Sequence, residues 1–383
     1  MGKARKPALQ LELPGTRREP KREAALRELT GEERDQAIRR ALAAWFEATA
    51  RDLPWRRRRD PYAVWLSEIM LQQTRVETVV PYFERFLSRF PDVGALSAAP
   101  IDEVLSLWSG LGYYRRARQL HATAREVTER YGGAFPGEAA ELKALPGVGD
   151  YTAGAIASLA FGRKEALVDG NVARVFARLF GIAAPIRSPA AVKELWETAR
   201  RLLPEDRPGQ FNEALMELGA MVCTPRDARC EACPLERVCV ARATGRVGEL
   251  PVVAEKPKVP VVAMVAAVVR RGGEVLFARR QEGGLFGGLW EPPMVEAASV
   301  AAARAQLAEL GVDVPLAEVG RVKHVLTHKE LAVRVAAGEA PAKAKAPRSM
   351  VAPYEKATFL DPEGAGVGIS TLARKVLASA AKG

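Results

Sequence analysis

All four cysteines of the chain fall within 17 residues: Cys223, Cys230, Cys233 and Cys239, in the spacing C-x6-C-x2-C-x5-C. Chance does not gather them so closely in 383 residues. Three chemistries use thiols at this density. Paired disulfides suit a small secreted scaffold, and nothing else in the chain has that character. Structural zinc takes two close Cys pairs, and only Cys230 and Cys233 form one. An iron–sulfur cluster accepts four thiolates at irregular spacing. Cluster and zinc both stay open on chemistry alone. Arg226 and Arg229 lie between the ligands. A short cationic loop held by metal ligands would suit phosphate contact, and the plainer reading is that they solvate the loop.

Two carboxylates stand out next. Glu68 lies inside an apolar helical stretch, between Leu66 and Ile69, with Val64 and Leu71 on its own face. Burial disfavours a charged carboxylate, so a Glu in such a place can donate a proton near neutral pH. A salt bridge to an arginine such as Arg75 is the plain alternative. Asp169 opens Val168-Asp169-Gly170-Asn171-Val172 ahead of a helix. It reads either as an ordinary helix cap or as a carboxylate at the mouth of a cleft, held by Asn171.

Other segments have the chemistry of nucleic-acid contact. Leu145-Pro146-Gly147-Val148-Gly149 ends one helix and opens another at Tyr151. Gly147 and Gly149 allow a tight turn, and the bare N–H groups that follow form an anion site. Gln72-Gln73-Thr74 offers amides and a hydroxyl that could read base edges. Leu111-Gly112-Tyr113-Tyr114-Arg115-Arg116 sets aromatic rings between a glycine and two arginines, as a wedge entering a base stack requires. Core tyrosines are the bland reading.

Helices must position these groups. Asp60-Pro61 is a helix start, and apolar residues recur at helical spacing through Trp65, Ile69, Val76 and Phe83, with Pro81 expected to kink or divide the run. Further helices are expected at Ile101–Trp108, Arg115–Arg130, Tyr151–Ala160, Val172–Phe180, Ala190–Leu203 and Gln210–Val222. Near residue 245 the pattern changes. A Pro-, Val- and Lys-rich linker over 245–259 leads to strand-like runs at Val261–Val269, Glu274–Arg279, Leu289–Glu291, Glu318–Leu326 and Leu331–Ala336. Helical segments at Ala298–Leu310 and Thr371–Ala381 accompany them. The chain is thus read as a flexible basic tail (1–30), an all-α domain (31–244), the linker, and a smaller α+β domain (260–383).

Composition fits this division. Apolar residues are 48% and charged residues 27%, which excludes a wholly disordered chain. The longest apolar run, Val259–Val269, contains Pro260 and is far short of the roughly 20 residues a membrane span needs. The N-terminal stretch lacks the apolar core of a secretory signal. A net charge of +11 and a pI near 9.6 suggest a polyanionic partner.

Taken together and in order, S-E-I-M-L-Q-Q-T, L-G-Y-Y, L-P-G-V-G-x-Y-T, D-G-N-V and the four cysteines closely resemble the adenine DNA glycosylase (MutY) family, within the helix-hairpin-helix glycosylase superfamily. The resemblance spans about residues 40 to 240. It implies a [4Fe–4S] cluster on Cys223, Cys230, Cys233 and Cys239. It implies removal of adenine mispaired with 8-oxoguanine or guanine in double-stranded DNA. Glu68 would protonate adenine N7, and Asp169 would stabilise the oxocarbenium-like sugar with support from Tyr151 and Asn171. This is the two-carboxylate logic of glycoside hydrolysis. Arg51, Trp55, Arg56, Leu71 and Glu213 match positions around the adenine pocket. Gln73, Thr74, Leu111 and Tyr113 match positions around the opposing base, with Tyr113 intercalating.

The C-terminal domain resembles the family's Nudix-like lesion-recognition module. A nucleotide-hydrolysing Nudix helix needs R-E-x-x-E-E, and this chain has AAARAQLAELG instead. The family's Phe-Ser-His segment stands here as Leu326-Thr327-His328, so Thr327 keeps the hydroxyl while Leu326 lacks the ring. The expected molecule is a cytoplasmic bacterial monomer, nucleoid-associated when engaged, with no membrane contact. Two other functions compete. An endonuclease III-type glycosylase that also cuts the strand carries Lys where this chain has Tyr151, and no Schiff base forms on tyrosine. A non-catalytic DNA-binding protein would leave Glu68 and Asp169 without a purpose.

Overall fold

The computed structural model describes residues 31–254, 259–363 and 366–382. The tail expected over 1–30 lies outside the described residues, as does part of the expected linker. Helix α1 (Gly31–Thr49) opens the described chain and is followed by α2 (Pro54–Arg57), α3 (Pro61–Leu71), α4 (Val76–Arg89), α5 (Val93–Ala98), α6 (Ile101–Leu107) and α7 (Arg115–Tyr131). Then come α8 (Ala139–Lys143), α9 (Asp150–Leu159), α10 (Gly170–Phe180), α11 (Pro189–Leu202), α12 (Pro208–Met221) and α13 (Val240–Ala243). Asp60 caps α3 as its sequence suggests: the carboxylate accepts from the Ala63 N–H at 3.0 Å, and Pro61 takes the first turn. Pro81 does not divide the run. The division falls at Gln72–Arg75, and Pro81 lies inside α4. There it removes one internal hydrogen bond without ending the helix.

The chain packs as two compact units. As far as it is described, one comprises residues 31–52, 137–140 and 149–254. Its core joins Ile38, Leu42 and Phe46 of α1 to Val172, Val175 and Phe176 of α10 and Leu215 and Leu218 of α12. The other comprises residues 53–136, 141–148, 259–363 and 366–382. In its helical part Phe86 packs edge-on against Phe90 and Trp108, with centroids at 5.6 and 5.7 Å. Trp108, Phe86 and Phe90 are fully buried, so truncating any of them to Ala would cost about 3–5 kcal/mol.

The same unit holds a seven-stranded mixed sheet. Its strands are β1 (Val261–Arg271), β2 (Glu274–Arg280), β3 (Trp290–Glu291), β4 (Met294–Glu296), β5 (Ala317–Val325), β6 (Glu330–Glu339) and β7 (Tyr354–Leu360). The path runs β3-β2-β1-β6-β5, with β4 paired to β1 and β7 to β2. β1 and β6 are parallel, from Val261 opposite Glu330 to Arg270 opposite Glu339. Period-two alternation on β1 serves two cores. Ala266 and Val268 face α15 (Thr371–Ala380) through Leu372 and Val376. Val265, Ala267 and Val269 join Ala303 and Leu307 of α14 (Val300–Glu309). A run apolar on both faces is what a strand covered by helices on each side requires. The expected all-α and α+β parts are both present; β4 and β7 had no counterpart in the sequence reading.

Candidate functional site

Asp169 sits at the N-cap of α10, partly buried. One carboxylate oxygen accepts from the Val172 N–H at 2.7 Å and the other from Asn171 Nδ2 at 2.9 Å. It is therefore a cap, and its surroundings do more than capping needs. Burial raises its pKa, and the bonds from Val172 and Asn171 oppose that rise. Behind Asn171 stands Arg174, whose Nη2 donates to Asn171 Oδ1 and to the Gly219 carbonyl, both at 2.8 Å. Its Nε donates to the Cys223 carbonyl at 2.7 Å. Arg174 thus links the carboxylate's support to the cysteine segment, a role its place in the sequence did not announce. Tyr151, on the first turn of α9, puts its hydroxyl 3.3 Å from Met216 Sδ.

Arg51 follows α1 and forks onto Glu217 of α12, with Nε and Nη2 at 2.8 and 2.7 Å from the two carboxylate oxygens. Its backbone N–H adds a third bond at 3.1 Å. Glu217 is buried one turn beyond Glu213, which is also buried. Sequence reasoning named Glu213 and missed Glu217. An i, i+4 acidic pair on one helix face was the available signal.

In the other unit, Glu68 is only 5% exposed within α3, whose neighbouring residues from Tyr62 to Met70 are all buried. Trp55 is buried and packs edge-on to Phe83 at 5.4 Å. Leu71 ends α3; Arg56 lies in the short α2. Gln73 and Thr74 follow α3, and Gln73 adopts φ 57. Tyr113 adopts φ 48 and is 52% exposed, whereas Tyr114 is buried. The bland reading of both tyrosines as core thus holds for Tyr114 only. A bulky residue in left-handed backbone is uncommon and marks a place where the fold enforces it.

Arg116 does the enforcing. Its Nη1 donates to the carbonyls of Ile69, Met70 and Gln72 at 2.9, 2.8 and 2.6 Å. Its Nη2 reaches Thr74 Oγ1 at 3.1 Å and the Leu111 and Gly112 carbonyls at 3.3 and 3.1 Å. One buried guanidinium ties the turn bearing Gln73 and Thr74 to the turn bearing Leu111 and Tyr113. Burial pulls its pKa down to about 10, so it is charged at neutral pH. The sequence reading treated Arg115 and Arg116 as one cationic pair; only burial separates them.

Gly147 adopts φ +73, and a Cβ there would stand 2.8 Å from Gln119 Cβ, so the turn requires glycine. Gly149 is the N-cap of α9 and, having no side chain, supplies no side-chain acceptor to its first turn. Thr327 and His328 are exposed in the β5–β6 loop. Thr327 shares a cavity of about 650 Å3 with Tyr113, Tyr114, Arg118 and Phe286.

The four cysteines are free thiols gathered around one small cavity with Arg178 and Arg242. Arg178 Nη1 lies 3.4 Å from Cys223 Sγ and 2.7 Å from the Thr224 carbonyl. Burial raises the Cys230 and Cys239 thiols and lifts Cys233 to about 12. Among the described residues, no three His, Cys, Asp or Glu side chains are placed to hold a single metal ion. The donor set is all sulfur, which fits a thiolate-bound cluster. Arg229 turns back to the Met221 carbonyl, and Arg226 is exposed. Among the described residues, no helix is long and apolar enough to cross a membrane.

The chain matches two family models: "HhH-GPD superfamily base excision DNA repair protein" over residues 66–201, and "NUDIX domain" over residues 264–379. It is 37% identical to the adenine DNA glycosylase of Rattus norvegicus across 89% of this chain and 77% of the relative. With the Homo sapiens adenine DNA glycosylase it shares 39% identity across 78% of this chain and 66% of the relative. A solved thermostable thymine-DNA glycosylase, 33% identical, superposes with a TM-score of 0.52 over 56% of this chain and 98% of its own. The chain therefore belongs to the adenine DNA glycosylase family and is a DNA-binding glycosylase of base excision repair.

Proposed function

We propose that this enzyme excises adenine lying opposite 8-oxoguanine or guanine in duplex DNA and leaves an abasic strand uncut. The observation that carries the reading is the pair of carboxylates in unlike settings. Glu68 is buried in an apolar helix, and Asp169 is held by two donors at a helix N-terminus. Such a pair suits an acid and an anion acting on one glycosidic bond.

Glu68 donates a proton to N7 of the extruded adenine, so the base leaves neutral. Asp169 faces the sugar as positive charge builds at C1′, and Asn171, backed by Arg174, keeps its carboxylate aimed. Tyr151 supports the sugar-side carboxylate. Arg51, Trp55, Arg56, Leu71 and Glu213 are the side chains that would contact the adenine. Gln73, Thr74 and Leu111 contact the opposing base while Tyr113 enters the stack, and Thr327 and His328 approach from the Nudix-like domain. Extruding a mispaired adenine costs less than extruding a paired one. The turn of Gly147 and Gly149, at the N-terminus of α9, meets a backbone phosphate. Tyr151 has no amine to attack C1′, which supports hydrolysis without strand scission.

Cys223, Cys230, Cys233 and Cys239 would hold a [4Fe–4S] cluster. When bound, it supplies four metal–thiolate links that fix the 223–239 segment. Arg178 and Arg174 tie that segment to α10 and hence to the support of Asp169.

The test is product analysis on duplexes carrying A·8-oxoguanine, A·G and A·T. Free adenine from the first two, with strand breaks only after alkali, is the expected result. Borohydride trapping of an enzyme–DNA adduct at the level of a lyase would overturn the monofunctional reading. Tyr151→Lys should introduce some trapping, because an amine then faces the sugar.

A further inference from the structure

The loop from β2 to β3 runs Gly283-Gly284-Leu285-Phe286-Gly287-Gly288, and Phe286 adopts φ 58. A bulky residue persists in that conformation only where its surroundings enforce it. Here they do. Arg118 donates to the Gly287 carbonyl. The Gly288 N–H donates to the Arg280 carbonyl at 2.9 Å, and the Leu289 N–H to the Phe286 carbonyl at 3.0 Å. A Cβ on Gly287 would collide with the Gly283 carbonyl oxygen, and one on Gly288 with the Arg118 guanidinium. The backbone is packed into a shape whose one ring-bearing residue is Phe286.

The Phe286 ring is half-buried, with its centroid 5.9 Å from the His324 ring at an interplanar angle of 59°. It lines the cavity of about 650 Å3 together with Tyr113, Leu326 and Thr327. That volume lies within the range of ordinary ligand sites. Leu326 lines that cavity with an aliphatic side chain, which offers no π-face. Phe286 brings a ring into the same cavity from the neighbouring loop.

We propose that Phe286 is a specificity-determining residue, packing its ring against the purine opposite the excised adenine and supplying the π-face that Leu326 does not. The proposal rests on reading Tyr113 and Thr327 as opposing-base contacts. The ring's task is to fix the purine so that Thr327 can address its N7 and C8 edge. If Phe286 merely filled the adjoining apolar cluster, Leu would serve as well.

The test uses the full-length protein and duplexes in which a non-hydrolysable 2′-fluoro adenosine lies opposite 8-oxoguanine or guanine. Affinities are measured by fluorescence anisotropy. Phe286→Leu should weaken binding opposite 8-oxoguanine by roughly ten- to a hundredfold, the range of a base–aromatic stack. Phe286→Tyr should bind as the wild type does. The double variant Phe286→Leu/Leu326→Phe should regain most of the loss, which a purely structural role would not predict. If Leu unsettles the loop, Phe286→Met fills the volume without a ring and should show the same loss. Wild-type affinity in both Phe286→Leu and Phe286→Met overturns the proposal, as does failure of the double variant to recover. If the wild type itself does not prefer 8-oxoguanine over guanine, the opposing-base reading falls and this inference with it.

Discussion

Arg116→Leu should be among the most damaging single changes outside the catalytic carboxylates. The last carbonyls of a helix have no partner within it, and two of those of α3, Ile69 and Met70, end at Arg116 instead. Leucine fills much of the volume and donates nothing. Three of the acceptors, the Ile69, Met70 and Leu111 carbonyls, are in buried contacts. A buried acceptor left unpaired costs about 1–3 kcal/mol. Water entering the vacated space offsets part of this, so the expected loss is about 3–5 kcal/mol. Against a total stability of about 5–15 kcal/mol, that is a large fraction. The cation–π approaches to Trp108 at 5.2 Å and Tyr113 at 5.6 Å disappear as well. At about 2–4 °C per kcal/mol, the midpoint of thermal unfolding should fall by roughly 6–20 °C. Arg116→Lys keeps the charge, but its three donors cannot reach six acceptors, so it should fall between Leu and wild type. Differential scanning calorimetry reads this directly. A Leu variant melting within about 2 °C of wild type would show that the carbonyls find water without cost and that Arg116 holds nothing in place.

Asp169→Asn should abolish adenine release yet leave the fold as stable as before or more so, since Asn also caps helices well. Burial raises the Asp169 pKa, so the folded state holds this proton more tightly than the unfolded chain does. The charged form therefore costs stability above the folded-state pKa, and the cost vanishes as pH falls through it. The stability gap between Asn variant and wild type, read by urea denaturation, should shrink on moving from neutral to acid pH; a gap that widens would contradict the shift. Cys230→Ser should lose the visible absorption expected of an iron–sulfur protein and weaken duplex binding more than it slows the chemical step. A metal-free variant that binds duplex as tightly as wild type would refute the positioning role of residues 223–239. Thr327→Ala should lower the preference for 8-oxoguanine over guanine, with a good polar contact worth about 1–3 kcal/mol; an unchanged rate ratio would remove Thr327 from lesion reading.

Much of the architecture is legible in the sequence where a local signal is strong. Asp60-Pro61 marks the start of α3, and the change from helical to alternating apolar spacing near residue 245 separates two kinds of structure. Strand β7 was not legible, because Tyr354-Glu355-Lys356-Ala357-Thr358 mixes polar and apolar residues and owes its pairing to β2. The candidate site divides in the same way. Glu68, Asp169 and the cysteines stand in motifs a reader can recognise. Arg116, Arg174 and Glu217 do not, because their work lies in what they touch across long stretches of chain. An arginine that bonds six acceptors and one that lies in solvent look alike in a sequence. The break at Gln72–Arg75 was missed for a related reason: Arg116 holds the carbonyls there from more than 40 residues away.

The central claim is that Glu68 supplies the proton on which adenine departs. Single-turnover release of adenine from an A·8-oxoguanine duplex, compared between wild type and Glu68→Gln, tests it most directly. The amide fills the same volume and cannot donate that proton. The account predicts that duplex binding persists while the rate falls by at least about 100- to 10,000-fold, the usual worth of general acid catalysis. A variant that releases adenine at close to the wild-type rate would contradict it.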